Sequence, residues 1–108
     1  MNIFFINESF LFVYSLLTNT IGANNTSVGY NNLRFNTTGS FNSGFGVNSL
    51  TANTIGQHNT AFGYRTLFSN TTGSYNVAVG GWALTANTIG VANNAFGYNA
   101  LYSNTTGV

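Results

Sequence analysis

Asn53-Thr54-Ile55-Gly56-Gln57-His58-Asn59-Thr60-Ala61-Phe62-Gly63-Tyr64-Arg65-Thr66-Leu67-Phe68-Ser69 is one unit of a pattern that fills most of the chain. Internal repetition is the first thing to test in any sequence, because missing it misreads the whole fold. Working outward from this unit, glycines recur at Gly22, Gly39, Gly56, Gly73, Gly90 and Gly107, in an unbroken 17-residue period. A second series runs Gly29, Gly46, Gly63, Gly80 and Gly97, and a leucine series runs Leu16, Leu33, Leu50, Leu67, Leu84 and Leu101. Asn19, Asn36, Asn53, Asn70, Asn87 and Asn104 each precede a threonine, and Asn25, Asn42, Asn59, Asn76 and Asn93 complete the frame. Five aligned series do not arise by chance.

A longer period lies over the first. The units beginning at Asn53 and Asn87 agree at eleven of their seventeen positions, whereas those beginning at Asn53 and Asn70 agree at only seven. Two slightly different coils therefore alternate as 34-residue pairs, with Ile21, Thr38, Ile55, Thr72, Ile89 and Thr106 marking the alternation. Helical tetratricopeptide arrays have a repeat of that same length. Local chemistry rejects that reading, because every unit carries two or more glycines and several Asn, Thr and Ser, which are poor in helix interiors.

A β reading fits each series. Short runs such as Ala61-Phe62, Val77-Ala78-Val79 and Ala95-Phe96 sit between Gly and Asn punctuation, as strands sit between turns. The expected fold is all-β: a parallel β-solenoid, or β-roll, of about five 17-residue coils in alternating pairs. One unit per coil stacks identical residues at the strand spacing of about 4.8 Å. The leucines then form an internal ladder and the Val/Phe phase a second one, with small Ala61, Ala78 and Ala95 between them. Both glycine series are expected to take positive φ at coil corners, and the asparagines to form amide ladders along the stack.

The array is expected to occupy residues 15–108. Residues 1–14 lack both glycines and read as an irregular apolar segment, a degenerate cap or a strand that pairs with a neighbouring subunit. They make a poor signal peptide, since no basic region precedes them and Asn7 and Glu8 interrupt the apolar run. The stretch is also too short to span a bilayer. At the other end the chain stops at Val108 part-way through a unit, with no polar cap in sight, which suggests a segment of a longer array or subunits stacked end to end.

Charge excludes several functions. Arg34, Arg65 and Glu8 are the only charged side chains in 108 residues, with His58 the one histidine. Two arginines cannot neutralise a nucleic-acid backbone. So few charges leave a free monomer poorly soluble, which favours self-association or a solubilising modification. Without aspartate no carboxylate pair and no Ser-His-Asp arrangement can form, and without cysteine no disulfide or thiolate metal site exists. Calcium-binding β-rolls need Asp in their turns. No catalytic residue, cofactor or metal is expected. His58 shares its phase with Asn24, Phe41, Tyr75 and Ala92, a variety that suits a surface position without fixed duty.

Two surface features carry functional alternatives. The threonine column from Thr20 to Thr105 is the kind of regular ladder that an ice-binding solenoid presents, although threonine also simply suits a stacked β surface. Asn36, Asn70 and Asn104 each head an Asn-Thr-Thr glycosylation pattern, and Asn24, Asn25 and Asn7 also qualify.

Asn59-Thr60-Ala61-Phe62-Gly63, Asn76-Val77-Ala78-Val79-Gly80 and Asn93-Asn94-Ala95-Phe96-Gly97 resemble the core motif of trimeric autotransporter adhesin heads. The fuller unit with Ala100 to Gly107 is similar to repeats of phage and large-virus tail fibres. The resemblance covers residues 15–108 and implies a left-handed parallel β-roll that associates as a homotrimer, with surface ladders that meet host matrix or glycans. Adhesin coils are usually shorter than this one. The expected function is thus a structural or adhesive fibre element, extracellular or on a cell or virion surface. Its expected partners are copies of itself, as a homotrimer or end-to-end filament, and surface glycans or host matrix.

Overall fold

The computed structural model describes residues 12–108. The expectations placed on residues 1–11, including the Asn7 sequon and most of the apolar segment, lie outside them. Five short parallel strands form one sheet in sequence order: β1 (Thr26–Val28), β2 (Ser43–Phe45), β3 (Thr60–Phe62), β4 (Val77–Val79) and β5 (Asn94–Phe96). Each strand pairs with the next in a 17-residue register, Thr60 opposite Val77 and Ala61 opposite Ala78. The chain is a β-solenoid with one repeat per turn. Val13 already belongs to the stack, since the Asn31 N–H donates to its carbonyl at 3.0 Å.

The reason for the coil lies in where the backbone bonds go. Within β3 and its turn, the Thr60 and Leu67 N–H groups donate to Asn76 O and Ala83 O of the following coil, at 2.8 and 3.0 Å. The Gly63 and Arg65 N–H groups donate to Phe45 O and Val47 O of the preceding coil, at 2.8 and 3.0 Å. Donors thus point both up and down the stack. A buried backbone group must find a partner, and here the partner is mostly another copy of the same unit.

The core is a single file. Leu33, Leu50, Leu67 and Leu84 are fully buried, and Ala61, Ala78, Ala83 and Ala95 complete their cluster. Leu101, in the last coil, is half exposed. At about 1.5–3 kcal/mol for each buried leucine, so thin a core is a modest source of stability. Polar ladders supply the rest of the interior.

Asn53 Nδ2 donates to Asn36 Oδ1 at 2.8 Å, Asn70 to Asn53 at 2.8 Å and Asn87 to Asn70 at 2.9 Å. The same Nδ2 groups also donate within their own coil, Asn70 to Gly73 O at 2.9 Å. The second column behaves alike: Asn59, Asn76 and Asn93 each donate Nδ2 to the preceding Oδ1 at 3.1 Å. Their Oδ1 atoms also accept the backbone N–H one coil on, as Asn59 Oδ1 does from Asn76 at 3.0 Å. The expected amide ladders are present in both columns.

Two expectations are corrected. The Val/Phe phase is not a second internal ladder: Val28, Phe45 and Val79 are half-buried and Phe62 and Phe96 are exposed, while Ser27, Gly44, Ala61, Ala78 and Ala95 between the outer strand positions point inward. Alternation in a strand allows only one phase inside, and a narrow coil already filled by leucine has room for methyl-sized groups alone. The glycines also divide. Gly29, Gly46, Gly63, Gly80 and Gly97 take φ between 119° and 134°, as expected. The other series does not take positive φ. A Cβ on Gly56 would instead fall on the Gly73 carbonyl oxygen and on Asn53 Oδ1. Close approach of backbone to backbone is what demands glycine there.

Candidate interaction surfaces

The surface is built by the same rule as the core: one residue per coil makes a column. The strand residues that point outward give the row Val28, Phe45, Phe62, Val79 and Phe96, in which the Phe45 and Phe62 rings stack at 4.5 Å with 10° between their planes. Tyr30, Val47, Tyr64 and Tyr98 extend it toward the following turn, all exposed, and Phe96 and Tyr98 reach 70% and 75%. No charged residue lies in either column. Exposed apolar ground of this continuity marks an interaction face more often than it occurs idly.

A second column was not legible as a feature. His58 lies between Phe41 and Tyr75, its ring 4.8 and 5.0 Å from theirs and within 9° and 5° of parallel. All three carry left-handed backbone, φ 55–61°, which turns their side chains out at a corner. The variety at this phase concealed that three neighbouring coils hold planar rings. His58 is exposed, as expected, and its partners are rings in this stack.

The threonine column is held to the stack. The amides of Thr37, Thr38 and Gly39 all donate to Thr54 O at 2.9, 3.2 and 3.2 Å, and Thr37 Oγ1 adds a fourth bond at 3.2 Å. Thr54 and Thr71 repeat the arrangement, each Oγ1 donating to the next coil's carbonyl at 3.2 Å. These hydroxyls spend their proton on coil-to-coil bonding.

The sequons separate by burial. Asn36 and Asn70 have no exposure and their amides are donors in the ladder. A glycan there is incompatible with the folded coil, since Nδ2 has neither room nor a free proton to exchange. Asn104 is half-buried and donates to Asn87 Oδ1 at 3.1 Å. Asn25 is half-buried and donates to Gly39 O at 2.8 Å. Asn24 is exposed, and of these five it alone offers an accessible acceptor.

Both arginines stand on the turn that follows the strand. The Arg34 guanidinium lies 4.7 Å from the Tyr14 ring and 5.2 Å from Phe35. Arg65 lies 4.0 Å from Phe68 and 4.7 Å from Trp82. No cluster of three or more His, Cys, Asp or Glu occurs among the described residues, and no helix there is long and apolar enough to cross a membrane. No protein-family model, curated protein or solved structure matches this chain.

Proposed function

We propose that this chain is a structural and adhesive fibre segment that associates with copies of itself through the outward row of its sheet, outside the cell or on a virion surface. The observation that carries the reading is the outward, uncharged row Val28, Phe45, Phe62, Val79 and Phe96, half-buried at Val28, Phe45 and Val79 and exposed at Phe62 and Phe96, repeated at the pitch of the coil. A second copy presents the same row at the same pitch, so apolar side chains meet rung for rung. Water released from such a strip is the main driving force of protein association. The resemblance to adhesin heads and tail-fibre repeats supports the same reading, as does a chain whose charged side chains number three. In this reading the chain is no enzyme, and its threonine column braces the stack in place of contacting ice.

Sedimentation of the purified chain tests this. Self-association that rises with concentration is expected, and the double substitution Phe62→Lys with Phe96→Lys is expected to shift it to monomer while the melting temperature moves by only a few degrees, because both rings are exposed. Unchanged association of the folded variant would remove the row from the interface.

A further inference from the structure

Arg65 is placed unlike an ordinary surface arginine. Its backbone is left-handed, φ 55°, fixed by its N–H bond to Val47 O at 3.0 Å and by Thr85 Oγ1, which donates to its carbonyl at 2.9 Å. The guanidinium packs against both Phe68 and Trp82, 4.0 and 4.7 Å from their rings. Nε is buried without a hydrogen-bond partner. The sole carboxylate side chain of the sequence is Glu8, so none of the described residues supplies a counterion. Arg34 shares the buried, unpartnered Nε and lies near two rings, but its backbone is not left-handed and its Nη1 is already engaged, donating to Asn31 Oδ1 at 3.2 Å.

We propose that Arg65 and Trp82, with Tyr64 and Tyr102 beside them, bind the carboxylate-bearing sugar of an acidic saccharide. A guanidinium matches a carboxylate with two parallel bonds. Nε is buried but the residue as a whole is only half-buried, which leaves the two Nη groups as the pair for that fork. Packed against two rings, the side chain surrenders little freedom on binding, and preorganisation of this kind favours affinity. The flanking rings suit the rest of a sugar. Trp82 meets Tyr64 edge-on at 5.4 Å and lies 6.2 Å from Tyr102, and both tyrosines are nearly half exposed. Their apolar faces can take the C–H side of a pyranose while their hydroxyls remain for its polar edge. An extended nucleic acid is disfavoured by the same count that excluded it from sequence, one preorganised cation being too few for phosphate-driven binding. The site lies within one chain and does not depend on self-association.

Trp82 is the only tryptophan of the protein and touches Arg65, so its fluorescence reports on the site. The whole chain is titrated with a linear tetrasaccharide of galacturonic acid, with its methyl ester, and with tri-glutamate. A saturable change is expected with the free acid only. Arg65→Lys keeps the charge and loses the fork, and is expected to weaken binding about tenfold or more, with Arg34→Lys within about twofold. Equal binding of the ester, equally tight binding of tri-glutamate, an unaltered Arg65→Lys, or no saturable response overturns the assignment. Should Arg65→Lys fail to fold, the comparison of acid with ester on the unaltered chain decides alone.

Discussion

Asn70 shows how much one polar residue carries in a coil with so little apolar core. Its Nδ2 serves Asn53 Oδ1 and Gly73 O, and its Oδ1 accepts from Asn87. Replacing it with alanine orphans the buried Asn53 Oδ1 and takes one of the two acceptors from Asn87 Nδ2, while Gly73 O keeps its bond from Asn59 Nδ2. An orphaned buried group costs about 1–3 kcal/mol, so with the lost Asn87 bond added Asn70→Ala is expected to lose about 2–4 kcal/mol, read as a fall in melting temperature of roughly 10 °C or more. Thr71 makes the contrast. Its Oγ1 bond goes to Thr88 O, which already accepts the N–H groups of Thr71, Thr72 and Gly73. Thr71→Val is therefore expected to cost under about 1 kcal/mol. Thermal unfolding followed by circular dichroism compares the two. The asparagine ladders were legible in sequence because a bonded column needs the same side chain in every coil. The ring stack at Phe41, His58 and Tyr75 was not, because stacking asks only for a planar ring and tolerates several residue types.

At the scale of the coil, neighbouring turns adjust to each other's bulk. Asn32 fills an interior place that Ser15, Ser49, Thr66 and Ala83 occupy elsewhere, and it is fully buried. Opposite it stands Gly44, where other coils have Ser27, Ala61, Ala78 and Ala95. A Cβ on Gly44 would strike the Asn32 side chain, with Cγ at 3.0 Å. Overpacking of this kind costs roughly 1–3 kcal/mol, so Gly44→Ala is expected to destabilise by that amount. Asn32→Ser on the same background is expected to recover part of it, and a double-mutant cycle measures the coupling. Additive losses would show that the two sites do not share a space. The same scale explains what sequence reading misplaced. So short a strand makes a single alternation, and pattern alone does not say which phase faces in; bulk decides, and the coil admits Ala61 and excludes Phe62. The two glycine series look identical in sequence because a left-handed φ and a close backbone approach both select glycine. Only the geometry tells Gly63 from Gly56.

The whole molecule is one-dimensional. Each coil bonds to its two neighbours, so stability grows with the number of coils and the faces grow with it. The 17-residue period made that architecture legible from end to end of the array. What the period leaves open is which columns face solvent, and on that the function turns. The outward row of Phe45, Phe62 and Phe96 gives the molecule a long apolar strip, and its near-absence of charge leaves little to keep copies apart. Arg65, packed against Phe68 and Trp82, adds a cation at the edge of the same repeat, where the saccharide site is proposed. Electron micrographs of the purified chain in negative stain, taken over a range of concentrations, test the central claim most directly. Elongated particles larger than one five-coil chain, more numerous as concentration rises, are the predicted result; isolated single-chain particles at every concentration would contradict it.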